Sequence, residues 1–262
     1  MRVYLPSNGL FGLKSVEFNI PKIKQLRDLS TASYTDEQAT IEVVRMLLSN
    51  PDDLYKMSIL DKEYLFKIAV ESIHMGDVAV DVECSECHKK FRISYRLSEQ
   101  ELFELPEGTP REVSKSVDGR TYTFHFLTPR DEEEIIDYAL VDYDHYAKRY
   151  ESAFVAKTLG FPATQDGVDV VGEYPHYAYY AALLFSNMSF HGVTPIMTSA
   201  CPHCGQLHKV VIPFVKSILG VESTDVVNRF MQVSGIVDWQ SFLDMSFPEY
   251  NQLVKNLDTM EG

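Results

Sequence analysis

The sequence predicts an α+β protein that is predominantly helical with short β-hairpins. Three observations carry that expectation: amphipathic stripes at the 3.6-residue period in both halves, short runs alternating apolar and polar residues, and two Cys-x-x-Cys pairs, each placed between two such runs. Of the 262 residues, 45% are hydrophobic and 24% charged, a balance that can bury a core and that excludes disordered and fibrous classes. Lys and Arg number 24 against 38 Asp and Glu, so the formal charge is −14, a sign that repels a phosphate backbone and an anionic bilayer. Nucleic acid and membrane are therefore not expected as partners. The opening Met1-Arg2-Val3-Tyr4-Leu5-Pro6 lacks a basic segment followed by an apolar run, and no stretch approaches the ~20 apolar residues of a membrane span. The expected compartment is a cytoplasm.

Residues 1–34 mix Pro6, Ser7, Asn8, Gly9 and Gly12 with apolar residues and a basic cluster, Lys22, Lys24 and Arg27, without a helical period, and read as an extended N-terminal arm. Thr35-Asp36-Glu37-Gln38 is a capping box ahead of apolar Ala39, Ile41, Val44, Leu47 and Leu48, so a helix starts there and ends before Pro51. From Leu60, the stripe Tyr64, Leu65, Ile68, Ala69, Ser72, Ile73 predicts a second helix, stopped at Gly76. Val78–Glu83 and Phe91–Leu97 then read as strands on either side of Cys84-Ser85-Glu86-Cys87, which places the first cysteine pair at a hairpin tip. A second hairpin is expected about Asp118-Gly119, because that dipeptide suits the positive φ angles of a type I′ turn.

Thr128 as N-cap, Pro129 at the first helical position and the acids Asp131 to Glu134 open a long helix running toward Gly160. Consecutive residues on a helix point in different directions, so the acid run reads as a solvated first turn that favours the helix dipole, not a metal site. Residues 161–172 lack a period and read as a loop. A helix over about 174–190, carrying Tyr177, Tyr179, Tyr180, Leu183 and Leu184, leads to the second cysteine pair, followed by a strand at Lys209–Ile212. The tail reads as helical, with Thr224 as one cap and Ser246-Phe247-Pro248-Glu249 as another capping box.

Cys84 and Cys87 map onto Cys201 and Cys204 at an offset of 117 residues, and that offset also carries Ser72-Ile73-His74 onto Ser189-Phe190-His191 and Ile93 and Tyr95 onto Val210 and Ile212. Each half therefore reads as helix, Ser-apolar-His, strand, cysteine pair, strand, the mark of a duplicated unit. The repeated halves span about 60–97 and 177–214. They make up a body of residues 35–220, with a hairpin and helix inserted at about 100–160 and a C-terminal helical segment at 221–262.

A structural zinc ion takes four thiolate or imidazole ligands in a tetrahedron, and each Cys-x-x-Cys turn presents two thiolates to one ion. Cys84, Cys87, Cys201 and Cys204 are thus the candidate metal ligands, joined in one zinc-ribbon-like site with one zinc per chain. With 113 residues between the pairs, the metal would clamp two distant hairpins together. Cys201-Pro202-His203-Cys204-Gly205 is a zinc-ribbon knuckle with Gly relieving the turn, whereas His88 occupies the matching place in the first knuckle. The rival chemistry is thiol–disulfide exchange, since Cys-Pro-His-Cys also serves strongly oxidising thioredoxin-like proteins, but that use needs the motif at a helix N-terminus and here a strand follows. His74 and His191 stand one helical turn before the cysteine strands, where a helix C-terminus already accounts for a histidine. His203 and His208 are spare imidazoles beside four cysteines. The fifteen Tyr read as core and interface residues, not a base-stacking surface, because the basic interleaving such a surface needs is missing. No GxGxxG, Walker A, HExxH or GxSxG motif occurs, so neither an enzyme nor a small-molecule substrate is expected.

The arm Leu5-Pro6-Ser7-Asn8-Gly9, the element Asp61-Lys62-Glu63-Tyr64-Leu65 and the two cysteine pairs together resemble the baseplate hub and hub-assembly proteins of contractile-tailed phages of the T4 type. The resemblance covers roughly residues 5 to 130. Gly12 and Leu13 depart from it, where an aromatic and Pro are expected, and the long carboxy-terminal part carries no such match. It implies a non-enzymatic protein that is built into a tail baseplate at or beside the hub, or that helps assemble it. The implied partners are other tail and baseplate proteins, and the implied locations are the virion and the host cytoplasm during assembly. Leu5, Pro6, Ser7, Gly9 and Phe11 are then the candidate partner-binding residues, since an extended arm bearing apolar side chains orders by docking on a neighbour. A zinc-ribbon adaptor in transcription or nucleic-acid processing is the second reading, opposed by the charge of −14, and a Cys-Pro-His-Cys oxidoreductase the third.

Overall fold

The computed structural model describes residues 1–30, 34–74, 78–117, 119–214, 229–234 and 236–260. Helices predominate, and every sheet among these residues is a two-stranded antiparallel hairpin, as the α+β reading expects. The chain divides into two compact units, each assembled from three segments: Met1–Phe18, Leu48–Tyr64 and Leu102–Gly192 in one, and Asn19–Leu47, Leu65–Glu101 and Val193–Gly262 in the other.

In the first unit, strands β1 (Arg2–Tyr4) and β2 (Ser15–Glu17) pair with Val3 opposite Val16, both buried. The extended arm expected over residues 1–34 is thus corrected. Leu5, Leu10 and Phe18 are buried like Val3 and Val16, and the chain reverses through Asn8 and Gly9, both at positive φ. Pro6 accepts a backbone hydrogen bond from Leu105, and Ser7 donates its N–H to Asp61 Oδ1 at 2.9 Å. Leu5, Pro6 and Ser7 are buried, and Gly9 and Phe11 half-buried, with the Arg111 guanidinium lying over the Phe11 ring at 5.3 Å.

Strands β3 to β6 and helices α1 to α3 are α1 (Ile23–Ser30), α2 (Asp36–Leu47), α3 (Ile59–Ile73), β3 (Val78–Glu83), β4 (Lys90–Tyr95), β5 (Glu112–Val117) and β6 (Arg120–His125). Val117 pairs with Arg120 across the β5–β6 turn, where Gly119 has a positive φ; Asp118 lies outside the described residues, as do Gly76 and Thr224. Thr128 caps α4 (Pro129–Leu140) with a complete capping box to Asp131. The single long helix expected from there to Gly160 is corrected: α4 ends at Leu140, a 3-10 turn follows at Tyr143–His145, and α5 (Tyr146–Thr158) packs against α4. One helix over 129–159 would stretch about 45 Å, whereas a reversal lets Ile135 of α4 share a core with Ala153 of α5, Leu127 and Ala163. The reversal falls where the side chains tolerate water, at exposed Val141 and Tyr143.

The loop expected over 161–172 holds a short helix instead, α6 (Gln165–Gly172), whose N-cap Thr164 accepts from the Gly167 N–H. Gly and β-branched Val weaken its intrinsic propensity, and burial of Val171 in the core with Tyr122, Phe124 and Ala178 of α7 (His176–Met188) supplies the stability. The acid run is only partly solvated. Asp131 serves the cap, Glu133 accepts from Tyr55 and Glu134 pairs with Lys157, but Glu132 is buried and pairs with the equally buried Lys62 at 2.8 Å. Three, four and seven residues on, Ile135, Ile136 and Ala139 are buried too, so Glu132 lies on the core-facing stripe. Burial pulls the Lys62 ammonium down, and the Glu132 and Glu63 carboxylates more than reverse that, leaving it above its ordinary value.

In the second unit, Lys24 and Arg27 of the basic cluster lie on a helix where the sequence suggested an extended arm: α1 buries Ile23 and Leu29 and packs on α8 (Trp239–Asp244). The Thr35–Gln38 and Ser246–Glu249 capping boxes form as expected, the latter opening α9 (Phe247–Met260). Leu65, Phe66, Ala69, Val70 and Ile73 of α3 are buried, and the cysteine hairpins, β3–β4 and β7 (Ile196–Ala200) with β8 (Leu207–Val211), belong to this unit. Tyr95 at the end of β4 donates its hydroxyl to Thr194 O at 3.1 Å and meets Phe214 edge-on, which ties the base of one hairpin to that of the other.

Candidate metal centre

Each cysteine pair sits at the tip of its hairpin, and the two tips are copies of one another. Ala79 pairs with Ser94, Val80 with Ile93 and Glu83 with Lys90; 117 residues on, Ile196 pairs with Val211, Met197 with Val210 and Ala200 with Leu207. The turns match bond for bond. The Cys84 N–H donates to Lys89 O and the His88 N–H to Cys84 O, just as Cys201 donates to Gln206 O and Gly205 to Cys201 O. His88 and Gly205 share a left-handed backbone, φ 56° and 80°, so the repeat read from the sequence extends to the strained position after each second cysteine.

The hairpins bring their sulfurs together crosswise. Cys84 Sγ lies 3.6 Å from Cys204 Sγ, Cys87 Sγ lies 3.7 Å from Cys201 Sγ, and all four ligand atoms fall within 4.8 Å of one another. A tetrahedron with metal–sulfur bonds of ~2.3 Å has an edge of about 3.8 Å, so the thiol spacing suits a single metal ion. The first cysteine of each pair is buried, Cys87 is half-buried and Cys204 exposed. Among the described residues this is the one group of His, Cys, Asp or Glu side chains arranged to hold a metal.

The electrostatics fit a cation at the centre. The Cys87 N–H, aided by the Glu86 N–H, the His208 ring and Cys204, overcomes burial and pulls the Cys84 thiol down to about 6. Cys204 goes the other way. The Gln206 N–H favours its thiolate, but burial and the three neighbouring sulfurs outweigh it and push it up to about 12. Four thiolates so close together repel one another, and a divalent ion removes that conflict.

His208 was legible only as a spare imidazole; the structure places its Nε2 3.3 Å from Cys84 Sγ and its ring against Phe91. It occupies a β8 position that alternates with exposed Leu207 and Lys209, and so faces inward. The other histidines do not join the cluster. His191 is buried in the first unit, with Nε2 2.6 Å from Ser58 Oγ and Nδ1 2.9 Å from Ser189 O, and burial holds its imidazolium below the ordinary range. His74 and His203 are exposed. Cys201 and Cys204 follow a strand and precede a strand, not a helix, so the helix dipole that a thioredoxin-like motif uses does not act on Cys201.

No family model, no curated protein and no solved structure matches this chain.

Proposed function

We propose that Cys84, Cys87, Cys201 and Cys204 hold one structural zinc ion, and that the chain is a non-enzymatic structural or assembly component of a phage tail baseplate, at or beside the hub. The observation that carries the zinc is the crosswise closure of two duplicated hairpins at tetrahedral sulfur spacing. Four soft thiolate ligands favour zinc, and a site closed by four protein ligands has no open position for substrate, which makes the ion a fold element. Bound to the folded chain alone, it adds its binding free energy to folding. The baseplate role rests on the resemblance carried by Leu5-Pro6-Ser7-Asn8-Gly9, Asp61-Lys62-Glu63-Tyr64-Leu65 and the cysteine pairs. Leu5, Pro6 and Ser7 are buried, so within that reading half-buried Gly9 and Phe11 are the accessible candidate contact residues. Mass spectrometry of isolated tails and of baseplate assembly intermediates from infected cells tests the role. The chain is expected in one or both fractions together with other tail proteins; its absence from both contradicts the proposal.

A further inference from the structure

We propose that the outward face of the second cysteine hairpin, formed by Ile196, Thr198, Ala200, Leu207, Lys209 and Val211, docks a segment of another protein that carries apolar side chains and a carboxylate. This rests on reading the chain as an assembly component and names the surface and the kind of partner. The duplication supplies an internal control. The two hairpins share register, turn and exposure, and in both the same alternate positions of each strand face water. In the first hairpin those positions are dressed for solvent: Ala79 lies opposite Ser94, Asp81 opposite Arg92 and Glu83 opposite Lys90. Asp81 and Arg92 form a two-pronged ion pair, at 2.9 and 3.3 Å. In the second hairpin the matching pairs are Ile196 with Val211, Thr198 with Lys209 and Ala200 with Leu207. Ile196, Leu207 and Val211 are 46%, 65% and 64% exposed, apolar side chains held in water where their counterparts are polar or small.

The charge pattern selects the occupant. Lys209 replaces Arg92, but Thr198 stands where Asp81 supplies the carboxylate, so the cation is kept and its acid removed. Among the described residues Lys209 makes no ion pair. A second copy pairing through this same face would set Lys209 against Lys209 and bring no acid to it, which disfavours a symmetric dimer. A different chain offering apolar residues about an Asp or Glu complements both features at once. A two-stranded ribbon is flexible by itself, and the cysteine cluster at its tip fixes how this face is presented.

Random peptides displayed on filamentous phage, selected against the full metal-loaded chain, test the proposal. The comparison protein carries the first hairpin's residues at the matching positions: Ile196→Ala, Thr198→Asp, Ala200→Glu, Leu207→Lys and Val211→Ser. Because that set already serves a hairpin of this register, metal content and melting temperature are expected to stay unchanged. Selected peptides should combine apolar residues with Asp or Glu and bind the comparison protein at least about tenfold more weakly. Lys209→Glu alone should shift the selection toward Lys and Arg, and that single exposed substitution keeps the test open if the fivefold variant misfolds. Failure to select any peptide, equal binding to both proteins, or selection indifferent to the charge at position 209 would overturn the proposal. So would sedimentation showing that the chain self-associates through this face. Metal analysis of the unaltered chain is a separate readout, so a failed zinc assignment and a failed docking surface remain distinguishable.

Discussion

Replacing Cys84 by Ser tests the proposed metal site where it is most enclosed. Cys84 is buried, 3.6 Å from Cys204 Sγ and 3.3 Å from His208 Nε2, and its loss leaves three thiols and an oxygen that is a poor zinc ligand. A ligand held a thousandfold above its dissociation constant stabilises the state that binds it by about 4 kcal/mol. For a chain of this size each kcal/mol moves the melting temperature by about 2–4 °C, so losing the metal should lower it by about 8–16 °C. The assay is thermal unfolding followed by circular dichroism, with and without a strong zinc chelator. The unaltered chain should lose that interval when chelated, and Cys84→Ser should start near the lower value and ignore the chelator. If Cys84→Ser retains one metal ion and melts with the unaltered chain, the clamp is not what stabilises this fold.

The buried Lys62–Glu132 pair makes a second test: Glu132→Ala removes the buried carboxylate from beside a buried ammonium, and urea unfolding should show a loss of about 3 kcal/mol, largely restored by Lys62→Met on the same background. Gly160, which follows α5 at a φ of 83° with the His125 ring facing it, should lose about 1–2 kcal/mol on replacement by Ala, measured the same way. Burial would raise the Asp131 carboxyl, but the Lys157 ammonium and the Thr128 N–H and hydroxyl outweigh it and hold it below the usual carboxylate range. Its folded value lies below its unfolded one, so its contribution is fully present above about pH 3.9 and is lost as pH falls through the folded value. The stability gap between the unaltered chain and Asp131→Asn should therefore shrink on acidification, and a gap independent of pH would contradict the assignment.

Much of the cysteine cluster was legible because cysteine spacing and turn chemistry are local. The offset of 117 residues is a property of the sequence, and identical knuckle hydrogen bonds follow from placing the same turn between the same strands. The approach of His208 to Cys84 joins residues 124 apart and follows only once both hairpins have their register and face each other. The N-terminal segment misled for a related reason. Turn residues at 6–9 hide any period, and Pro6 and Ser7 are held by backbone hydrogen bonds to Leu105 and Asp61, far away in sequence. Charge misled at Glu132, where a carboxylate reads as exposed until Lys62 is found beside it. The reversal between α4 and α5 and the helix at 165–172 reflect packing overriding propensity, which no window of a dozen residues contains.

Native mass spectrometry of the chain, purified without a metal-affinity step, followed by denaturation of the same sample without reductant, tests the central claim most directly. One zinc ion per folded chain, and a denatured mass equal to that of four free thiols, is the predicted result. A metal-free folded chain, lighter than that mass by two hydrogens for each disulfide, would contradict it and make the four sulfurs a redox centre instead.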